Sequence, residues 1–216
     1  MIIGLVGFIG SGKDTVAEML LGEDGVKDSF AAPLKDLCAT IFGWPRHLME
    51  GSSIESRDFR DTPDMFWSRK LGIANFTPRL AMQIVGTDTM REHFHTDIWI
   101  NSLEYRLRCA DTDYKNVVIS DARFQNELDL IRNLNGKIIW VKRGELPEWY
   151  DIAVDANQGN AVSRRIMTSK YAAVHQSEWD WVGYEVDQII ENDCSMEELV
   201  FSVESVKNRI GTLISI

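Results

Sequence analysis

The chain has 216 residues, a length that predicts one domain with, at most, a small insertion. Of these residues 44% are hydrophobic and 26% are charged, which is ordinary for a globular protein. Its 23 basic and 33 acidic residues give a net charge of −10, which argues against polymeric nucleic acid as a partner but allows a small phosphorylated ligand. No apolar run approaches the roughly 18 residues that cross a bilayer, and no targeting segment is recognised, so we expect a cytoplasmic protein with no membrane partner.

The first predicted elements flank a glycine-rich loop. The apolar run Ile2–Val6 predicts a buried parallel strand, and a helical pattern begins at Thr15. Between them the sequence GFIGSGKDT contains the Walker A pattern GxxxxGK, in which backbone N–H groups and a helix N-terminus converge on the phosphates of a nucleotide. The predicted ATP-binding residues are Gly10, Ser11, Gly12, Lys13, Asp14 and Thr15.

Asp14 departs from the commonest form of this motif. Many P-loop proteins place Ser or Thr directly after the lysine, where the hydroxyl reaches Mg²⁺, whereas here Asp14 precedes Thr15. A non-hydroxyl residue followed by Thr is similar to the loop of nucleoside monophosphate kinases. Asp14 is either a first-turn residue that the helix dipole favours or a group near the metal or the acceptor phosphate.

Residues 22–25 predict a turn, 26–32 a second strand, and Pro33 the first turn of a helix. Lys35 lies in that first turn, where the dipole disfavours a cation, so either an anion lies nearby or the lysine is solvated.

Residues 43–76 contain many Gly, Pro and Ser residues and are predicted to be the least regular part of this half. They mix arginines with aromatic rings, among them Trp67 and Arg69, and are interpreted either as a nucleotide clamp or as a solvated insertion. A helix is then predicted after Thr77 as the cap and Pro78 as its first residue. Arg79 and Gln83 would share one face of this helix, suited to a phosphate and to the edge of a base.

Residues 94–109 predict a helix, 116–121 a buried strand that ends in Asp121, and 124–134 another helix. Asp121 resembles the Walker B carboxylate that orients Mg²⁺, or it caps the helix that follows. Arg123 would project from the same edge of the sheet, and Glu127 lies one turn further on.

Residues 137–141 and 186–191 predict two more strands. The segment 144–177 between them shows no periodicity and carries Arg164, Arg165 and His175, so it is interpreted as a lid over the phosphates or as disorder. Ser195 and Glu198 predict a capping box for a final helix that ends near Gly211.

Taken together, the motifs GFIGSGKDT, FAAPLKD, PRLAMQIVGTD, VVISDARFQNE, HQSE and IIENDCSMEEL are similar, in the same order, to those of the bacteriophage-type deoxynucleoside monophosphate kinases. The resemblance implies an α/β, three-layer P-loop kinase fold with a central parallel sheet over residues 1–216, a substrate-binding helical segment at 43–92 and a lid-like insertion at 144–177. It implies transfer of the γ-phosphoryl group of ATP to a deoxynucleoside monophosphate (dNMP), with Mg²⁺ as the cofactor. The resemblance also agrees with a homodimer. The expected location is the cytoplasm, which is that of the host if the protein is phage-encoded.

The resemblance also implies roles for individual residues. Lys13 grips the donor phosphates, and Thr15 and Asp121 serve the metal. The predicted catalytic set is Lys13, Asp14, Asp121 and Arg123, and the predicted dNMP-binding set is Lys35, Trp67, Arg69, Arg79, Gln83, Arg123 and Glu127.

Three alternatives stay open at this point. The first is a P-loop kinase of another small metabolite, of the dephospho-coenzyme A or phosphomevalonate kinase type. The second is a GTPase, for which Asp180 and Gly183 supply a DxxG pattern but no NKxD motif occurs. The third is a nucleotide-binding scaffold without turnover.

Overall fold

The computed structural model describes residues 1–22, 25–109 and 116–212. The strands are Ile2–Val6 (β1), Gly25–Asp28 (β2), Asn116–Ile119 (β3), Lys137–Lys142 (β4) and Gln188–Glu191 (β5). The α-helices are Lys13–Leu21 (α1), Ala32–Phe42 (α2), Ile54–Asp61 (α3), Met65–Leu71 (α4), Pro78–Gln83 (α5), Ile98–Cys109 (α6), Gln125–Asn133 (α7), Tyr150–Asn157 (α8), Ala161–Ser169 (α9) and Met196–Thr212 (α10).

The described residues divide into two compact units, one from Met1–Ser29 and Asp111–Ile216, the other from Phe30–Ala110. All strands belong to the first unit and form one parallel sheet in the order β2-β3-β1-β4-β5. Because β1 is central, the loop that follows it leaves the middle of the sheet at its carboxyl edge, where ligands bind in open α/β sheets.

Helices cover both faces of this sheet. On one face, apolar side chains of the strands pack against α1 and α10; they include Ile3, Val118 and Ile139, each at most 1% exposed. On the other face a Cβ on Gly4 would lie 2.4 Å from Cδ1 of Ile131, so α7 packs directly on the backbone of β1. The three-layer α/β fold with a central parallel sheet, predicted from the sequence, is therefore confirmed.

The second unit is helical and has an aromatic core. Phe42 stacks on Trp44 with ring centroids 4.5 Å apart, and Trp67 meets Phe42 edge-on at 5.2 Å. Asp64 caps α4 and also accepts a hydrogen bond from the indole N–H of Trp44 at 2.9 Å. After α5 the chain continues as a π-helix over Ile84–Phe94, a rare geometry that is often found at functional sites.

Several boundaries differ from the sequence predictions. The second strand ends at Asp28 rather than at residue 32, and α6 begins at Ile98 rather than at residue 94. The turn at 22–25 includes residues that lie outside the described ranges.

The two segments predicted to be irregular are mostly helical. Residues 43–76 hold α3 and α4, which start at the side-chain caps Ser53 and Asp64. Residues 144–177 hold α8 and α9, the second of which starts at the cap Asn160. These helices have seven to nine residues each, too few for apolar periodicity to stand out from the sequence.

Within the described part of the chain, no helix is both long enough and apolar enough to cross a lipid bilayer.

Candidate active site

The loop between β1 and α1 turns tightly and, with the first turn of α1, presents several backbone N–H groups. Gly7 has φ +149°, and a Cβ there would lie 2.3 Å from the carbonyl oxygen of Val141, so only glycine fits at this position. Among the described residues, no group accepts a hydrogen bond from the N–H of Gly10 or Gly12. The first N–H groups of α1 also lack partners within the helix. Together these donors form a site for an anion at the positive end of the α1 dipole.

Lys13 folds back over the loop that precedes it. Its Nζ donates hydrogen bonds to the carbonyl oxygens of Gly7 at 2.7 Å and Phe8 at 2.9 Å. Burial and the nearby positive charge of Arg123 lower the pKa of Lys13 to about 8, against the opposing effect of nearby carboxylates that include Glu178 and Asp121. The ammonium group therefore lies among the other charged side chains at this edge of the sheet.

Arg123, on the loop between β3 and α7, is held by two glutamates. Its guanidinium Nη1 donates to Oε1 of Glu178, and its backbone N–H donates to Oε2 of Glu127 at 2.7 Å. Glu127 is 3% exposed and also accepts the N–H of Phe124 at 3.1 Å, so the structure gives this carboxylate the role of a cap for α7. Its predicted contact with dNMP stays a prediction.

The negative charges of Asp14 and Asp121 both raise the pKa of Lys13. Asp14 forms an ion pair with Lys27 at 2.6 Å and accepts a hydrogen bond from the hydroxyl of Ser120 at 3.3 Å. Asp121 follows Ser120 at the end of β3 and is half-buried. Asp14 thus ties the start of α1 to the ends of β2 and β3, which agrees with a first-turn structural role. Its catalytic role stays a prediction.

The residues predicted to bind a metal ion are Thr15 and Asp121. No group of three or more His, Cys, Asp or Glu side chains in the described ranges is close enough together to hold a metal ion. Mg²⁺ is usually held by one or two carboxylates with water and substrate phosphates, and does not need such a cluster. The Thr15 hydroxyl and the Asp121 carboxylate are oxygen ligands of the kind that Mg²⁺ prefers, and their assignment to the metal stays a prediction.

Phe8, the second residue of the loop, is fixed by aromatic rings. Its ring lies 5.6 Å from Trp149 and 5.0 Å from Trp181, measured between centroids. Phe8 supplies one of the two carbonyl oxygens that bind Lys13, so these rings also fix that acceptor. The sequence analysis did not single out Phe8, Trp149 or Trp181, because no local pattern connects rings so far apart in the chain.

The three predicted lid residues differ in what they contact. Arg164 donates to the carbonyl oxygen of Ala156 at 3.1 Å and lies over the ring of Trp179 at 5.8 Å. His175 accepts the N–H of Ser177 at 3.2 Å and caps a short 3-10 turn, whereas Arg165 is exposed on α9.

In the second unit, the predicted dNMP-binding residues are engaged with their own neighbours. Arg79 donates two hydrogen bonds to the carboxylate of Asp61 and shares the short helix α5 with Gln83, which is half-buried. Lys35 pairs with Glu50 at 2.6 Å.

Trp67 and Arg69 both lie on α4. The indole N–H of Trp67 donates to the carbonyl oxygen of Phe42 at 3.0 Å, and Arg69 Nε donates to the carbonyl oxygen of Met65 at 3.1 Å. The first contact anchors the indole in the aromatic core of the unit. The second leaves the guanidinium on the surface of the helix, where Arg69 is exposed.

The fold and the site together define a class of protein: a P-loop protein that binds nucleotide phosphates at the carboxyl edge of a parallel sheet. A family model described as deoxynucleotide monophosphate kinase matches residues 50–154. A protein of Acanthamoeba polyphaga mimivirus, named provisionally as a deoxynucleotide monophosphate kinase, is 37% identical over 155 residues, covering 66% of this chain and 74% of the relative. The deoxynucleoside-5'-monophosphate kinase of Escherichia phage T5 is 30% identical over 186 residues, covering 62% of this chain and 73% of the relative.

The chain therefore belongs to the deoxynucleotide monophosphate kinase family and is a phosphotransferase, which confirms the family that the sequence motifs predicted. Among solved structures, a dephospho-CoA kinase from Campylobacter jejuni aligns with a TM-score of 0.48 at 15% identity, over 97% of this chain and 96% of that one. A gluconokinase from Sinorhizobium meliloti 1021 aligns with a TM-score of 0.43 at 14% identity, over 99% and 94%. Both scores are too low to add to the assignment.

The lowered pKa of Lys13 makes nucleotide binding pH-dependent. Above pH 8 much of the free protein carries neutral Lys13, and an anionic nucleotide raises the pKa of this group again, so binding takes up a proton. We expect the affinity for ADP to fall as the pH rises above about 8, by at most about tenfold per pH unit. Calorimetric titration with ADP at pH 8.5, in buffers of different ionisation enthalpy, measures the uptake.

Two controls accompany this titration. At pH 7 the uptake should be small because Lys13 is already charged, and in the variant Lys13→Arg it should vanish because guanidinium stays charged. Binding at pH 8.5 with no net proton uptake by the native protein would contradict the assignment of Lys13.

Proposed function

We propose that the chain transfers the γ-phosphoryl group of ATP to the phosphate of a deoxynucleoside monophosphate, giving ADP and the deoxynucleoside diphosphate. The observation that carries this proposal is the convergence of the open N–H groups at the head of α1, Lys13 and Arg123 at one edge of the sheet. A site of this kind stabilises negative charge spread over a transferring phosphoryl group. Membership of the family supplies the class of acceptor.

The reaction needs little covalent chemistry from the protein. An oxygen of the acceptor phosphate bonds to the γ-phosphorus while the bond from that phosphorus to the bridging oxygen breaks, and the electron pair leaves with ADP. The acceptor oxygen is already ionised at neutral pH, so no strong general base is required. Catalysis then consists of alignment and neutralisation of charge.

Arg123 is the residue we propose for the transferred phosphoryl group. Its planar fork suits two phosphate oxygens and stays charged at working pH. Its present partner Glu178 leaves it a third exposed, so a phosphate group can replace the carboxylate. Glu178 would then position the guanidinium before the substrates bind.

Mg²⁺ is part of the proposal and is supported by the chemistry of Thr15 and Asp121. When bound, the ion neutralises charge on the donor phosphates. The residues we assign to it are the hydroxyl of Thr15 and the carboxylate of Asp121, and Asp14 is engaged with Lys27 instead.

In the second unit we assign acceptor binding to Arg79, with Gln83 for the edge of the base. Arg79 and Asp61 are partly exposed, at 29% and 55% of their side-chain surface, so their ion pair contributes little stability and can exchange for a phosphate. Lys35, Trp67 and Arg69 stay candidates in the same unit, and Arg164, Arg165 and His175 stay candidates for a lid. A homodimer and a location in the host cytoplasm stay predictions of the family resemblance.

An assay that couples ADP formation to a chromophore, run with each deoxy- and ribonucleoside monophosphate in turn, tests the function. We expect ATP consumption to depend on a deoxynucleoside monophosphate. Dephospho-coenzyme A and phosphomevalonate are the control acceptors. Consumption with one of those metabolites alone, or at the same rate with no acceptor, would contradict the proposal.

Substitution of Arg79 separates acceptor binding from donor binding. We expect Arg79→Ala to raise the KM for dNMP by about ten- to a hundredfold, the usual loss for charge-assisted hydrogen bonds to phosphate, and to leave the KM for ATP unchanged. The control is Arg108→Ala, because Arg108 is also an arginine of the second unit and also pairs with a carboxylate, that of Glu104. Equal effects of the two substitutions would remove Arg79 from the acceptor site.

A further inference from the structure

A side chain at the end of the last strand contacts the P-loop. Asn192 directly follows β5, and its backbone N–H donates to the carbonyl oxygen of Lys142 at 2.8 Å, which extends the pairing of β4 and β5. Its side-chain Nδ2 donates to the carbonyl oxygen of Ser11 at 2.8 Å, across 181 positions of sequence. The sheet therefore holds the backbone from which this amide reaches the loop.

The contact is closely fitted. A Cβ on Gly12 would lie 2.4 Å from Nδ2 of Asn192, so the amide group occupies the space that a side chain at Gly12 would need. Gly12 also has φ +92°, a conformation that favours glycine. The absence of a side chain at Gly12 thus serves both the turn of the loop and the approach of Asn192.

The direction of this hydrogen bond matters for phosphate binding. The carbonyl of Ser11 and the N–H of Gly12 belong to one planar trans peptide group, so they point in opposite directions. When the oxygen is held toward Asn192, the N–H of Gly12 is held away from it, on the open side of the loop. The backbone of Gly12 is in the left-handed conformation, and that of Lys13 begins a right-handed helix. Successive residues of opposite backbone hand point their N–H groups at one anion.

We infer that Asn192 is a positioning residue, which fixes the Ser11–Gly12 peptide group in its phosphate-binding orientation and thereby sets the affinity for the donor nucleotide. It does not touch the reacting atoms. The inference rests on one part of the proposed function, namely that ATP is the phosphoryl donor. Its effect should appear in donor binding and not in acceptor binding, because the peptide group that it holds belongs to the P-loop.

The neighbouring residue Asp193 provides a matched control. Its carboxylate accepts the N–H of Gly144 at 2.8 and 3.0 Å, so it also ties the end of β5 to another loop, but that loop is not the P-loop. Asp193→Ala removes a comparable polar contact from the same connection. A purely structural role would make the two positions behave alike.

The test compares the native protein with Asn192→Ala, Asn192→Asp and Asp193→Ala by calorimetric titration with ADP, by the KM values for ATP and dNMP, and by thermal unfolding. We expect Asn192→Ala to weaken ADP binding and to raise the KM for ATP by about three- to tenfold, as for loss of one neutral hydrogen bond, with the KM for dNMP unchanged. Asn192→Asp keeps the shape but sets an acceptor against the Ser11 oxygen, so it should weaken ADP binding further. Asp193→Ala should lower the melting temperature and leave ADP binding unchanged.

The inference would be overturned if Asn192→Ala or Asn192→Asp bound ADP with native affinity. It would also be overturned if Asn192→Ala raised the KM values for ATP and dNMP equally, or if Asn192→Ala and Asp193→Ala lost ADP affinity to the same extent. If the native protein binds ADP but phosphorylates no dNMP, the proposed function fails while the ADP titrations still decide the role of Asn192.

Discussion

The bonds from the Lys13 ammonium group to the carbonyl oxygens of Gly7 and Phe8 are the interaction on which the site depends. They require a loop that turns its carbonyl groups toward the lysine and leaves N–H groups open at the head of α1. That curl requires glycine at Gly7, where the backbone of β4 leaves no room for a side chain. It also requires a fixed sheet edge, which the parallel pairing of β1 with β3 and β4 supplies.

The cations assigned to phosphate binding have partners within the protein. Lys13 rests on loop carbonyls, Arg123 on Glu178, and Arg79 on Asp61. The chain has ten more acidic than basic residues, so carboxylate partners for the two arginines are abundant. The two ion pairs orient their arginines in advance and keep the desolvation cost of an unpaired charge low. About a third of each arginine side chain is exposed, so a phosphate can replace the carboxylate partner.

The sequence predicted the parts of the fold whose signals are local. The strand Ile2–Val6, the loop and α1 follow from an apolar run, glycines and a lysine, and the final helix follows from the capping box of Ser195 and Glu198, which the structure confirms. The residue pattern predicted no helices within 43–76 and 144–177, because they are short and depend on caps and tertiary packing. The family resemblance alone implied a helical segment at 43–92. In the proposed site, Lys13 and Arg123 are predictions from motifs. The partners that hold the loop and the arginine, Asn192 and Glu178, were assigned no role, because they act across 181 and 55 positions and no local pattern predicts such pairs.

The central claim is that Lys13 and Arg123 act on the same phosphoryl group. The most direct test measures transfer of label from the γ position of ATP to dNMP in the native protein, in Lys13→Met, in Arg123→Met and in the double variant. If the two cations stabilise one transition state, each single substitution lowers the rate by about a hundred- to a thousandfold. The double variant is then slower than the native protein by much less than the product of the two single losses. Losses that multiply in the double variant would show that the two residues act independently and would contradict this account.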